Sequence, residues 1–237
     1  MTRPATQAQA QAVTRPEAIR KVVLVVGSAK PRGTSSSESL GRALLATMAR
    51  GGVETAVLHA HTVSGDMREV IDVLEGCDLL VLASPLYFDA LPSQVVTLLQ
   101  RVGAWRRALL TAPPLSFAAM LNCGTPDAHQ ADAAIAMCGL AAREAQLHWC
   151  GGMAFGEGDA IGGREPATLG TDRVTGAIEI AASGLLQGAA IPLAAQKLAA
   201  TPMIPEGRYA LLRNASWLLL AQRNKALLRI ADRPEAP

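Results

Sequence analysis

Aromatic residues are scarce in this 237-residue sequence, with three Trp, two Tyr and three Phe. Its four cysteines, Cys77, Cys123, Cys138 and Cys150, form no C-x-x-C pair, which argues against an iron–sulfur or zinc cluster and fits a reducing cytoplasm. No apolar run approaches the ~18 residues of a membrane span. Charge of either sign is nearly balanced, at +2 net, so nucleic acid is not expected as a main partner. The same balance separates the chain from strongly acidic electron carriers. Residues 1–20, rich in Ala, Gln, Thr and Pro, have no apolar signal-peptide core and read as a loose N-terminal arm. Two common phosphate fingerprints are also missing. Only Gly27 and Gly33 are present where G-x-G-x-x-G needs three glycines, and Thr34 stands where a nucleoside-triphosphate loop needs lysine.

What is present is organised around the stretch from Lys21 to Met48, KVVLVVGSAKPRGTSSSESLGRALLATM. Its opening, apolar and mostly β-branched, reads as a strand buried on both faces. Leu40, Leu44 and Met48 then recur with the period of an amphipathic helix. A strand, a turn and a helix start form a ready seat for a phosphate, because loop amides and the helix dipole both favour an anion. The turn holds Ser28, Thr34, Ser35, Ser36, Ser37 and Ser39, with Lys30 and Arg32 as cations. Short hydroxyls and backbone amides suit a terminal phosphomonoester. The same letters also spell a capping box, Ser35-x-x-Glu38, and the two readings are compatible. Glu38 is expected to point away from a dianion.

Strand-like and helix-like segments alternate along the rest of the chain. Val53 to Leu58, Asp78 to Ala83, Leu115 to Cys123 and Gln146 to Phe155 read as further strands. Asp66 to Leu74, Leu91 to Val102, Asp127 to Glu144 and the Val174, Ile178, Ala181, Leu185 series read as helices. The glycine-dense segment from Gly156 to Gly163 reads as a flap at the mouth of a site or as a plain surface loop. Five β-α units with right-handed crossovers imply an α/β fold, a doubly wound parallel sheet covered on both faces. Ligands in such folds sit at the carboxyl ends of the strands, which directs attention to three post-strand segments. They are Gly27 to Ser39, Ser84 to Pro92 and Asn122 to Asp127. In the second, two prolines bracket Tyr87 and Phe88, a rigid pair that suits the cover of a flat ring or packs under the next helix.

Lesser constellations have plainer readings. His59 and His61 end a strand without a third ligand, so no metal is expected and they read as exposed. His148 and Cys150 read as packing. Pro192, Pro202 and Pro205 divide the tail into a short helix and a longer one, Arg208 to Arg229. That longer helix carries Arg208, Arg213, Arg223, Lys225 and Arg229 beside Leu211, Leu212, Ala215, Trp217, Leu218 and Leu219. Docking on its own domain or on a second subunit is favoured over contact with anionic lipid.

The GSAKPRGTSSSES loop, the ASPLYFDALPSQV segment and the LNCGTPDAHQ segment together resemble flavodoxin-like NAD(P)H-dependent FMN reductases, from about Lys21 to about Asn224. The resemblance implies a flavodoxin-like five-stranded sheet of order 2-1-3-4-5 at 21–190, a helical C-terminal extension at 191–237, FMN as cofactor and NAD(P)H as co-substrate. By position it implies that Ser28, Arg32, Ser35, Ser36 and Ser37 hold the phosphate, with Lys30 or Arg32 as the nearby cation. Pro85, Leu86, Tyr87 and Phe88 would flank the isoalloxazine, and Asn122, Cys123 and Gly124 would reach its pyrimidine edge. It further implies hydride transfer to a small-molecule acceptor such as a flavin or quinone, with no side chain required as a proton-transfer catalyst. A homo-oligomer is expected. The alternative is a flavodoxin-like electron carrier without nicotinamide turnover.

Overall fold

Five segments of aliphatic residues pair side by side into one parallel sheet. They are β1 (Lys21–Val26), β2 (Glu54–His59), β3 (Leu79–Pro85), β4 (Ser116–Asn122) and β5 (His148–Phe155), in the order β2-β1-β3-β4-β5. The fold is the flavodoxin-like one that the sequence implied. The structure, a computed structural model, describes residues 14–62 and 67–229. The expected start of the second helix, Asp66, and most of the expected N-terminal arm lie outside the described residues. In the part of that arm described, Pro16 and Ile19 are buried. The backbone amides of Arg20 and Lys21 both donate to Asp78 Oδ2, at 2.8 and 3.0 Å, which fixes the start of β1 against the start of β3.

Alternation along each strand divides the core in two. Val22, Leu24 and Val26 of β1, with Leu79 and Val81 of β3, face α1 (Ser36–Ala49), α6 (Asp172–Leu186) and α7 (Leu193–Ala200). Val23, Val25, Leu80 and Leu82 face α2 (Met67–Leu74), α3 (Ser93–Ala108) and α4 (Asp132–Glu144). Burial on both faces is why β1 and β3 are continuous apolar runs. The expected fourth helix opens with a separate 3₁₀ turn, Ala128–Ala131, capped by Asp127, whose carboxylate accepts from His129 N.

Two expectations about the last third of the chain change. The glycine-dense segment is neither a flap nor a plain loop, because it contains a helical turn, α5 (Gly158–Ile161), with Gly158 and Ile161 buried. Glu157 just before it is fully buried, and its carboxylate accepts from Met203 N and Ile204 N at 2.6 and 3.1 Å. The long tail helix, α8 (Glu206–Arg223), ends earlier than its composition suggested, because Lys225 takes a left-handed φ of 55° and a short turn follows at Leu227–Arg229.

Candidate functional site

The carboxyl ends of β1, β3 and β4 bring the three inspected segments together. At the first, Gly27 donates its N–H to Ala83 O at 2.8 Å and accepts from Gln94 Nε2 at 3.2 Å. A Cβ on Gly27 would collide with Ser84 Oγ and lie 2.7 Å from Val95 Cγ2, so only glycine lets the loop leave the sheet here. Ser28, buried, accepts from Lys30 N, while Lys30 and Arg32 stand exposed. Ser35 is the N-cap of α1, and its Oγ accepts from Glu38 N at 3.2 Å. The amides of Ser36 and Ser37 in the first turn have no partner among the described residues, as expected of helix-start donors. Unpaired amides and a helix dipole therefore coincide at the start of α1, with two exposed cations earlier in the same loop.

The hydroxyls are used differently from the sequence expectation. Ser36 Oγ donates to Gly158 O at 2.6 Å, and Ser37 Oγ donates to Asn122 Oδ1 at 2.7 Å. Each hydroxyl has one proton, so neither is free to donate to a phosphate in this arrangement. They tie the helix start to the ends of β4 and β5 instead. What the first loop leaves as a candidate anion seat is its backbone amides, with Lys30 and Arg32 as the loop's cations and the serine hydroxyls of α1 bracing the helix start.

The second segment stands open. Tyr87 and Ala90 exchange backbone hydrogen bonds at 2.9 and 3.2 Å, closing a two-residue turn in which Phe88 and Asp89 have φ of 51° and 60°. This is the left-handed pair of a type I′ turn, uncommon for a bulky residue and a place where backbone strain is held. Phe88 is fully exposed and Tyr87 about half exposed, at 45%, so neither packs under α3. Pro85 and Leu86 run beside Asn122, with Leu86 N donating to Asn122 O at 2.9 Å. In the third segment Asn122 and Cys123 are buried, and Cys123 turns its thiol into its own loop, toward Asp127 O at 3.3 Å. The Gly124 carbonyl accepts from the Tyr209 hydroxyl of α8. A cavity of about 680 Å³ beside Trp105, Leu109 and Leu115 opens at the opposite end of the sheet, away from all of these residues.

Behind the first loop sits a buried charge cluster that the sequence did not disclose. Glu38 is 2% exposed; its carboxylate accepts from Gly33 N at 2.7 Å and Arg42 Nε at 2.8 Å. His59, read as exposed, is buried, with Nε2 3.4 Å from Glu38 Oε1 but without a completed hydrogen bond. His61 meets it ring to ring at 5.8 Å and turns Nδ1 to Ser28 O. Burial pushes the Glu38 carboxyl up, but the Gly33 amide and Arg42 outweigh it and hold it below its usual value. Burial pushes His59 down, against the pull of Glu38. The unfolded chain protonates its histidine near 6.5, whereas folded His59 resists until lower pH. Stability is therefore expected to fall as pH drops below about 6.5, with a further loss below about 4.5 as Glu38 titrates. Melting curves between about pH 7 and 5 check this, and His59→Asn should flatten the upper limb. An unchanged upper limb in that variant would assign the acid sensitivity elsewhere.

Gln94, Glu157, Gly163 and Tyr209 also belong to this region; the sequence pointed to Glu157 and Gly163 only as members of the glycine-dense segment, and to Gln94 and Tyr209 not as site residues. A Cβ on Gly163 would collide with the Gly33 carbonyl and lie 2.9 Å from Thr34 Cα, so the segment after β5 presses directly on the first loop.

Similarity to known proteins agrees with this architecture. The chain overlays an NADH:FMN oxidoreductase in its apo form with a TM-score of 0.55 at 14% identity, covering 75% of this chain and 94% of that one. It overlays a putative quinone reductase from Klebsiella pneumoniae with a TM-score of 0.57 at 14% identity, covering 73% and 87%. A flavone reductase gives 0.53 at 12% identity over 92% and 99%. At such identities these likenesses speak for the fold. No curated protein sequence matches. The sequence profile of NADPH-dependent FMN reductases matches residues 20–142, just over half of the chain. That span carries the anion seat, the aromatic turn and the third loop, and the chain belongs to the NADPH-dependent FMN reductase family, as an NAD(P)H-dependent oxidoreductase of FMN-reductase type.

Proposed function

We propose that this chain takes hydride from a nicotinamide through bound FMN and passes the electrons to a flavin, quinone or similar small acceptor. The observation that carries the reading is the convergence at one sheet edge of an anion seat with unpaired helix-start amides and a strained, exposed Tyr87–Phe88 turn. These residues fit FMN. The Ser36 and Ser37 amides with Lys30 and Arg32 would hold the phosphate, and the Pro85–Phe88 segment would lie along the ring. FMN, when bound, supplies the hydride and electron chemistry. The chain's own residues orient the ring, and no side chain here is assigned a proton.

The proposal is tested by mixing the FMN-loaded protein with NADPH or NADH without oxygen. Bleaching within seconds supports the enzyme, and unchanged colour supports an electron carrier without nicotinamide turnover. A second expectation concerns the seat itself. Arg32→Ala should weaken FMN by about tenfold and leave riboflavin unaffected, because the lost interaction is with the phosphate. Equal losses for both ligands in titration calorimetry would contradict the seat.

A further inference from the structure

One row of side chains holds the first loop at two points. The chain leaves β1 at Gly27 and becomes regular again at α1, and the stretch between carries the exposed cations Lys30 and Arg32. Ahead of those cations, His61 Nδ1 lies 3.2 Å from Ser28 O, and because a carbonyl only accepts, this nitrogen carries the proton. Behind them, Gly33 N donates to Glu38 Oε2 at 2.7 Å. His59 joins the two holders. It is 4% exposed, its ring is 5.8 Å from that of His61, and its Nε2 is 3.4 Å from Glu38 Oε1. Arg42, one turn further along α1, ends the row with Nε 2.8 Å from the same carboxylate oxygen.

The bond to Gly33 shapes the loop most. Thr34 N donates to Pro31 O at 3.1 Å, closing a four-residue turn whose third residue, Gly33, has a φ of 77°. A left-handed third residue marks a type II turn, which differs from type I by turning the central peptide over. Here the central peptide joins Arg32 to Gly33, and the Glu38 carboxylate is the group that receives its N–H. Glu38 thereby selects the orientation of that peptide, and with it the frame that links Arg32 to the start of α1. We infer that Glu38 is a positioning residue for the phosphate end of FMN, with His61 as its counterpart at Ser28, and that the two together set the preference for FMN over riboflavin. The inference rests on the FMN reading given above. Neither residue is assigned a contact with the ligand. Each acts through the main chain that it holds.

Charge and position predict opposite results for substitutions of Glu38. A carboxylate acting only as a charge repels a phosphate, so Glu38→Ala and Glu38→Gln should then both tighten FMN. As a positioning group it behaves differently in the two. Glu38→Ala frees Gly33 N and should weaken FMN about tenfold with riboflavin unchanged. Glu38→Gln keeps an oxygen that accepts from Gly33 N, so it should bind FMN at least as tightly as the parent. His61→Phe keeps a ring against His59 but loses the Ser28 contact, and should lower the preference for FMN by about threefold. Titration of FMN and of riboflavin, followed by quenching of flavin fluorescence, measures both affinities in the full chain, and circular dichroism reports folding. Should Glu38→Ala fail to fold, Glu38→Gln and His61→Phe carry the test. A parent that binds neither flavin overturns the FMN reading and this inference with it. A parent that prefers FMN, with the same preference in Glu38→Ala and His61→Phe, overturns the positioning role alone, as does FMN binding tightened by both substitutions of Glu38.

Discussion

An Arg106→Met variant is expected to unfold about 3 kcal/mol more easily than the parent, lowering Tm by about 6–12 °C. Arg106 is among the largest fully buried side chains, at 2% exposure, and has no carboxylate partner among the described residues. Its guanidinium instead serves backbone. Nε donates to Ala145 O at 2.8 Å, and Nη2 donates to Pro113 O at 2.9 Å and Gln146 O at 3.1 Å. Two of those carbonyls end α4, where a cation also meets the negative pole of the helix dipole. Two effects oppose each other on substitution. Removing a buried charge relieves its desolvation, which pushes the Arg106 pKa down and leaves Nη1 unpaired. Methionine, however, strands the buried Ala145 carbonyl and takes the donor from the part-buried Pro113 and Gln146 carbonyls, and no second mutation can replace main-chain groups. Exchanges of buried ion pairs for apolar residues are neutral when both partners go, and here the partners are the main chain. The stranded carbonyls should win. Arg106→Lys should recover only part of the loss, since one ammonium cannot span three acceptors in the fork's geometry. A Tm at or above the parent's in the methionine variant would mean that desolvation dominates.

How far the letters alone reached depends on the range of the interactions. The five strands follow from local signals, because the runs 22–26 and 79–83 are buried on both faces and must be apolar throughout, whereas their order came from the family resemblance. The position of the site followed from topology. The partners within the site did not, because they lie far apart in sequence. Ser37 meets Asn122 across 85 positions and Ser36 meets Gly158 across 122, so the hydroxyls of two of the loop's serines also join it to the segments that follow β4 and β5. His59 looked like a strand-end surface residue, yet Glu38 from the neighbouring helix covers it. The type I′ turn was hidden because Phe88-Asp89 lacks the Asn-Gly chemistry that usually announces one. In the glycine-dense segment the close backbone approach that glycine allows was legible, as at Gly163 against Gly33, but the helical turn within it was not.

That packed segment carries the second large expectation, which concerns Glu157. It sits in a left-handed conformation with φ 56°, fully buried, and its carboxylate receives two main-chain amides from the connector between α7 and α8. Backbone amides bonded to a charged acceptor are stronger than neutral bonds. In Glu157→Gln one side-chain oxygen remains an acceptor, but the new NH2 faces an N–H donor and leaves it unpaired. The cost should be about 2–3 kcal/mol, concentrated in the connector rather than spread over the sheet. Amide exchange at Met203 and Ile204 should therefore accelerate by about 30- to 150-fold, while the amides of β1 and β3 exchange as before. The effect should reach the anion seat, because Gly158, next to Glu157, holds Ser36 at the start of α1. FMN affinity should fall in the same variant although residue 157 touches no proposed ligand position. Glu157→Gly separates the causes, since it eases the left-handed backbone while still removing the carboxylate. If the glycine variant keeps slow exchange at Met203 and Ile204, the carboxylate is not what straps the tail across the ends of β4 and β5.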